Sequence, residues 1–544
     1  MTEQSFIKTL ETSIRNNWER NALSDYKGDT FTYQDVGIII TRYHAHFRRR
    51  GIKKGDRIAL CGQNSARWVI AFMAVVTYGA VAVPILKDFR PEQIYHIVEH
   101  SGSLILFTGR NIRKIINVKE MPGLIEMLKI EDILVPESSD DSASAMTISF
   151  DAEQSSEEMC VLNYTSGTTG FSKGVMLPYR AMLSNLEHGM ESLQKVLVPG
   201  TNILSILPMA HMYGLMMDHV WGFAMGCHIT VLMRQPSPSV VEQAFNDIRP
   251  RILMSVPMVL EKMVRMRVFP KLEEKRNRML LSLPLVGAVM KYFLHRHTKN
   301  IFGGKIYQVV VGGAALNNSI EDFLRSIRFP ITVAYGATEC APLVSTSNYR
   351  KHKKKSCGCA VKNMTIAIDS PDPRKIPGEI LCTGKNVMLG YYKNPEVTAE
   401  TLSSNTEWCK LPESEYPWYH TGDMGVLDSD GFLFIRGRKK SMLLGPSGQN
   451  IYPEEIEDLL NNKPFVNESI IVHRDDKLVA FIYPDFDGAY SHGLDNKALL
   501  KILQRNLKEV NDLRPAYEFV SSIEICDHAF EKTAKGSIKR YMYS

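Results

Sequence analysis

Residues 164–175, Tyr-Thr-Ser-Gly-Thr-Thr-Gly-Phe-Ser-Lys-Gly-Val, constrain this chain more than any other stretch. Apolar sequence flanks them: residues 159–163 read as a buried strand, and residues 175–178 are apolar again. A polar, glycine-rich loop between such flanks suits a polyanion. Gly167, Gly170 and Gly174 permit positive φ and let backbone N–H groups approach a phosphate. Thr165, Ser166, Thr168 and Thr169 add hydroxyl donors. Lys173 adds a point charge for phosphate oxygens. Glycine and serine alone would also fit a flexible loop; the ordered run of hydroxyls and glycines closed by a lysine favours phosphate binding. The stretch is not a Walker A loop, which needs Gly-Lys-Ser/Thr, because Ser172 precedes Lys173 and Gly174 follows it.

The 544 residues exceed one ordinary core, so at least two domains are expected. Residues 30–36 read as a strand turning into a helix, 57–60 and 80–84 as strands, and 65–76 as a helix. Further strand-like runs fall at 202–207, 228–233, 251–255 and 306–311. Such alternation implies an α/β fold with a parallel-rich sheet covered on both faces. Residues 136–158, rich in Ser, Asp and Glu, read as an exposed linker before the loop.

A net charge of +6 is small for this length and gives no case for a nucleic-acid partner. Nine cysteines form no disulfide framework, and Cys357 with Cys359 lacks the second pair a zinc site needs, so reduced thiols are expected. The N-terminal residues show no signal-peptide core, and no apolar run approaches the ~20 residues of a spanning helix, so a cytoplasmic location is expected. Residues 262–305 stand apart. They carry eleven Lys and Arg against Glu273 and Glu274, and enclose the apolar stretch 279–290. Such a segment suits peripheral contact with the inner face of a membrane, its cations toward anionic head groups. The ordinary alternative is a basic surface helix with its apolar side on the domain.

Three further stretches carry chemistry. Residues 309–316, Val-Val-Val-Gly-Gly-Ala-Ala-Leu, are a strand ending in Gly312-Gly313, where a flat ligand can approach the backbone. Residues 334–340, Ala-Tyr-Gly-Ala-Thr-Glu-Cys, offer the Tyr335 ring face, Gly336, the Thr338 hydroxyl and the Glu339 carboxylate, an oxygen ligand for Mg²⁺. Residues 419–425, Tyr-His-Thr-Gly-Asp-Met-Gly, place Asp423 in a tight turn, where it can accept both hydroxyls of a ribose. Alone, each has a structural reading: a turn, a core aromatic, a turn former. Together with the loop they describe a nucleoside triphosphate site spread along the chain.

These stretches, with residues 437–457, resemble in order and spacing the adenylate-forming superfamily of acyl-CoA synthetases, peptide-synthetase adenylation domains and luciferase. The resemblance runs from Thr30 to Arg540. Val-Pro-Met-Val-Leu-Glu-Lys-Met at 256–263, followed by the basic insertion, and Leu-Pro-Met-Ala-His-Met-Tyr-Gly at 207–214 resemble its long-chain fatty acyl-CoA synthetase branch. The resemblance implies a large N-terminal domain, residues 1–437, of layered parallel-rich sheets and helices, and a small α+β lid, residues 438–544, turning about Lys440. It implies ATP, Mg²⁺ and CoA as cofactors and two half-reactions: adenylation of a fatty acid, then transfer of the acyl group to CoA or to an acyl carrier protein. By position, 165–170 and Lys173 hold phosphates, Tyr335 and Gly336 face the adenine, Thr338 the α-phosphate, and Glu339 the Mg²⁺. Asp423 and Arg438 hold the ribose, His211 lines the acyl and thioester side, and Gly312-Gly313 border the acid pocket.

Two positions depart from the family. Ser172 stands where proline is usual, which costs rigidity rather than chemistry. More consequentially, Lys532-Thr533-Ala534-Lys535-Gly536-Ser537-Ile538-Lys539 puts Ser537 where the family has the lysine used in adenylation. Lys535 or Lys539 substitutes for it, or the chain is a nucleotide-binding paralogue with impaired adenylation. In an extended turn, 535, 537 and 539 would share one face.

Overall fold

The computed structural model describes residues 5–132, 148–150, 155–165, 172–233, 237–270, 284–444, 450–474, 477–532 and 538–543. The phosphate-loop positions Ser166, Gly167, Thr168, Thr169 and Gly170, most of the 262–305 insertion's middle, the turn at 445–448, and Lys535 with Ser537 lie outside these residues.

The largest sheet has seven strands, in the order Gly390–Tyr391, Lys173–Pro178, Met159–Thr165, Val81–Ile85, Arg57–Cys61, Ser103–Thr108 and Glu126–Lys129. The last five run parallel to one another, while Lys173–Pro178 is antiparallel to both of its neighbours. The parallel strands Val81–Ile85 and Arg57–Cys61 are almost entirely buried, as strands covered on both faces must be. Between them in the chain runs Ala66–Tyr78, buried along nearly its whole length apart from Arg67, which pairs with Asp29. It starts on Ser65, whose hydroxyl accepts from the Trp68 N–H at 3.2 Å, and stops at Gly79 with φ +88°.

A second sheet is wholly parallel: Ile252–Ser255, Gln308–Val311 and Ile331–Val333. Beside these lie the mostly parallel four-stranded sheet around Asn21–Asp25 and the antiparallel sheet Met364–Asp369, Gly378–Gly384, Tyr419–Leu427 and Leu433–Arg438. Beyond Arg438, a smaller unit packs Pro453–Asn461 and Asn496–Asn511 on the sheet Val466–Arg474, Lys477–Pro484 and Val520–Ile525, around its own core of Ile456, Leu460, Leu499, Leu503 and Val520. Arg540 ties the C-terminal turn back onto this unit through both carboxylate oxygens of buried Glu457.

Of the described residues in the expected linker 136–158, Ser149 and residues 155–158 are exposed as expected, but two positions need correction. Ile148 and Phe150 are buried, and the first helix holds both: Arg15 Nε donates to the Ile148 carbonyl at 2.9 Å, and the Phe150 N–H donates to Glu11 at 2.9 Å. Two apolar side chains of one phase outweigh the polar average of their surroundings, because each buried one gains roughly 2 kcal/mol.

Candidate active site

The two strands that flank the candidate phosphate loop form an antiparallel hairpin, with Thr165 opposite Lys173 as its last described pair. The hairpin closes the loop across a fixed distance: the Thr165 hydroxyl sits 3.5 Å from the Lys173 carbonyl. Asn163, on the same strand, donates its side-chain amide to the Ala210 carbonyl at 3.0 Å and so fixes the turn before His211. His211 opens the helical run that continues through Gly214–Val220, its carbonyl accepting from the Leu215 N–H at 2.8 Å.

The parallel three-stranded sheet delivers the second half of the site. Gly312-Gly313 follow one strand and Tyr335 follows the next, so both lie at carboxyl ends, where open α/β sheets bind ligands. Gly313 has φ +86° and needs to be glycine. A Cβ on Gly312 would stand 3.2 Å from the Tyr213 ring, and the Tyr213 hydroxyl donates to the Val310 carbonyl at 2.9 Å. A Cβ on Gly336 would collide with the Pro342 carbonyl at 2.2 Å, so this turn takes no other residue. Thr338 and Glu339 lie in the 3₁₀ turn that follows, both half-buried.

The antiparallel sheet supplies the third part. Strand Tyr419–Leu427 bulges opposite Ile380, with His420 paired to Leu381 and Met424 to Glu379. The bulge turns on Gly422 at φ +70° and aims Asp423 into the molecule. There Tyr335 Oη donates to Asp423 Oδ2 at 2.6 Å, and Arg438 Nε lies 2.8 Å from Oδ1. Burial pushes the Asp423 carboxyl above its ordinary range, and the Arg438 charge and the Tyr335 hydrogen bond offset only part of that. The Tyr335 phenol is pushed far up by burial and by the Asp423 charge, so it stays a donor. Each carboxylate oxygen keeps a second lone pair, so Asp423 can still accept ribose hydroxyls.

Beside this group, Tyr391 donates its phenol to Glu339 Oε1 at 2.9 Å, and the Lys173 ammonium lies 5.0 Å from the centre of the Tyr391 ring. Lys173, Tyr335 with Glu339, and the paired Asp423 and Arg438 thus converge from three distant segments. Lys539 does not join them. It lies past the bridge between Lys532 and Ile538, its ammonium 3.3 Å from Glu531.

Two family profiles match: AMP-binding enzyme over residues 10–392 and AMP-binding enzyme C-terminal domain over residues 441–543. The chain belongs to the AMP-binding enzyme family. Similar curated proteins include 4-coumarate–CoA ligase 1 of Arabidopsis thaliana, 27% identical over 470 residues covering 82% of this chain and 76% of that one. A long-chain-fatty-acid–CoA ligase of Escherichia coli O6:H1 is 25% identical over 509 residues, covering 86% and 82%. The ATP-bound structure of MatB from Rhodopseudomonas palustris shares the fold over 100% of this chain and 98% of that one, with TM-score 0.77 and 20% identity.

This AMP-binding enzyme is therefore an adenylate-forming, acyl-CoA ligase-type protein, and the cofactors of that family are ATP, Mg²⁺ and CoA. The residues present fit the metal. Among the described residues no cluster of three or more His, Cys, Asp or Glu is placed to hold an ion. A single half-buried carboxylate, Glu339, linked through Tyr391 to the Lys173 cation, is what Mg²⁺ needs when phosphates complete its shell. Sequence reasoning gave Tyr335 a ring face and missed its hydroxyl; it missed Tyr213 and Tyr391 altogether. The only local signal for Tyr391 was the Gly-Tyr-Tyr at 390–392, and nothing in it tells which ring turns inward.

Proposed function

We propose that this enzyme activates a medium- or long-chain fatty acid with Mg·ATP and passes the acyl group to CoA. The convergence of Lys173, Glu339, Tyr335, Asp423 and Arg438 carries the reading. The fatty carboxylate attacks the α-phosphorus of ATP, the bond to pyrophosphate breaks, and acyl-AMP forms; a thiol then attacks the acyl carbon and AMP leaves. In this reading residues 165–170 and Lys173 hold the phosphates, Thr338 the α-phosphate, and Asp423 with Arg438 the ribose. Glu339 would hold Mg²⁺, which neutralises phosphate charge when bound. Gly312, Gly313 and Tyr213 border the acid, and His211 lies toward the thioester side. The likeness of residues 207–214 and 256–263 to the long-chain branch and the long-chain-fatty-acid–CoA ligase relative support the fatty-acid assignment.

The same reading sets the domain boundary at 437/438 and the pivot at Lys440, in the 3₁₀ turn Lys439–Ser441. Lys535 is the proposed replacement for the lysine missing at Ser537. Lys535→Ala should lose acyl-AMP formation by about a hundredfold, and adding Ser537→Lys should restore it. A parent that makes no acyl-AMP supports the impaired paralogue instead. The deciding assay is pyrophosphate release across fatty, aryl and short dicarboxylic acids, then discharge of acyl-AMP to CoA or to a holo carrier protein. A preference for aryl acids would overturn the fatty-acid assignment and leave the ligase reaction standing.

Peripheral membrane contact is part of the proposal. Among the described residues no helix is long and apolar enough to cross a membrane. Helix Pro284–Ile301 buries Leu294, Thr298 and Ile301, while Val289 and Tyr292 are each 57% and Phe293 61% exposed, alongside exposed Lys291 and Arg296. The helix carries no acidic residue. Phe293→Ser with Lys291→Glu and Arg296→Glu should reduce sedimentation with anionic vesicles; equal binding would leave a solvated helix.

A further inference from the structure

We propose that Tyr391 is a positioning residue that presets the Lys173 cation and the Glu339 carboxylate for the triphosphate and its metal; this rests on the nucleotide-site reading above. One side chain touches both groups. Its hydroxyl donates to Glu339 Oε1 at 2.9 Å, and its ring faces the Lys173 ammonium at 5.0 Å, within cation–π range.

The backbone holds that side chain from both directions. Tyr391 pairs with Val175 on the strand that begins at Lys173, and the Tyr392 N–H donates to the Gly174 carbonyl at 2.8 Å. Three residues earlier, the Met388 N–H donates to the Glu339 carbonyl at 2.9 Å. A short segment is thus stitched to the cation's strand at one end and to the carboxylate's turn at the other. Its conformation is fixed as well: the Tyr391 N–H donates to Thr398 Oγ1 at 2.8 Å, and Gly390, at φ +140°, could not carry a Cβ, which would stand 2.5 Å from Thr398 Cγ2.

The chemistry follows from this placement. The geometry makes the phenol the donor and the Glu339 carboxylate, which has no proton to give when ionised, the acceptor. A carboxylate that accepts this hydrogen bond keeps one oxygen fixed and leaves its remaining lone pairs for a hard cation. The ring face gives the Lys173 ammonium a resting place that phosphate oxygens can outcompete, because a cation–π contact is weaker than a charge-assisted hydrogen bond to phosphate.

The test is calorimetric titration with ATP in EDTA and with Mg·ATP, on the full chain. Tyr391→Phe keeps the ring and loses the hydroxyl. It should bind Mg·ATP about tenfold more weakly than the parent while binding metal-free ATP equally. Tyr391→Leu should also weaken metal-free ATP, by roughly threefold, through loss of the ring under Lys173. Tyr391→Phe combined with Glu339→Gln should be no weaker toward Mg·ATP than Glu339→Gln alone, a coupling that general loosening would not produce. Melting temperatures within a few degrees of the parent's would be expected for Tyr391→Phe. Equal Mg·ATP binding by the parent and Tyr391→Phe overturns this inference alone. A parent that binds no Mg·ATP overturns the nucleotide-site reading, and this inference with it.

Discussion

Asp423 and Glu379 sit on neighbouring strands of one antiparallel sheet, with Glu379 opposite Met424. Both are buried acids, and each faces one of two consecutive basic residues, Arg438 and Lys439, where the chain leaves for the C-terminal unit. Their electrostatics run in opposite directions. Burial dominates at Asp423 and raises its carboxyl. At Glu379 burial also pushes upward, but hydrogen bonds from His420 at 3.4 Å and Lys439 at 2.7 Å outweigh it and bring the carboxyl down to about 2. Glu379 also accepts from the Gly422 N–H at 3.1 Å, so it braces the bulge that aims Asp423. At Glu379 the partners outweigh burial and the acid holds structure; at Asp423 one partner on each oxygen does not, which suits a group that must bind something further.

The sharpest way to break this contrast is to remove each acid in turn. Asp423→Ala should lower ATP affinity and pyrophosphate release by about a hundredfold or more, since charge-assisted contacts to the ribose go with it. Glu379→Gln should leave pyrophosphate release within a few-fold of the parent. Equal losses in the two variants would mean that both acids belong to the binding site.

Tyr335→Phe sharpens the comparison at one atom. It leaves Asp423 with Arg438 alone, and ATP affinity should fall by roughly tenfold. An unchanged affinity would show that Arg438 suffices to orient the carboxylate.

The third prediction uses pH. Glu379 ionises near 2 in the folded chain against an ordinary 4.5, so its stabilisation is complete above 4.5 and disappears as pH falls toward 2. Glu379→Gln should therefore cost about 1–2 kcal/mol at pH 7, discounted because the Lys439 side chain is largely exposed, and progressively less below pH 4. Scanning calorimetry at pH 7 and pH 3 reads this directly; an offset independent of pH would rule the ion pair out as its source.

The smallest effect concerns Asp423→Asn. A raised carboxyl costs stability in its ionised form. That cost is absent below the ordinary value of 3.8, where the acid is protonated in both states, and fully present above the folded value. Asp423→Asn should therefore melt no lower than the parent at pH 7 while failing to bind ATP. A clear drop in melting temperature at neutral pH would assign Asp423 a structural role like that of Glu379.

The sequence by itself determined the strands around residues 57–60, 80–84 and 159–163, the helix after Ser65, the glycine turns and the candidate loop. All of these are written in neighbouring residues, through apolar runs, caps and positive φ. The family motifs likewise point to Lys173, Glu339, Asp423 and Arg438 from sequence alone. Tertiary structure alone decided which groups touch them. Tyr335 meets Asp423 across 88 positions and Tyr391 meets Glu339 across 52. A phenol in a strand can point to either face, and only the packing of separate sheets selects one. Ile148 and Phe150 make the same point for burial: their place beneath the first helix depends on Arg15 and Glu11, far outside any local window.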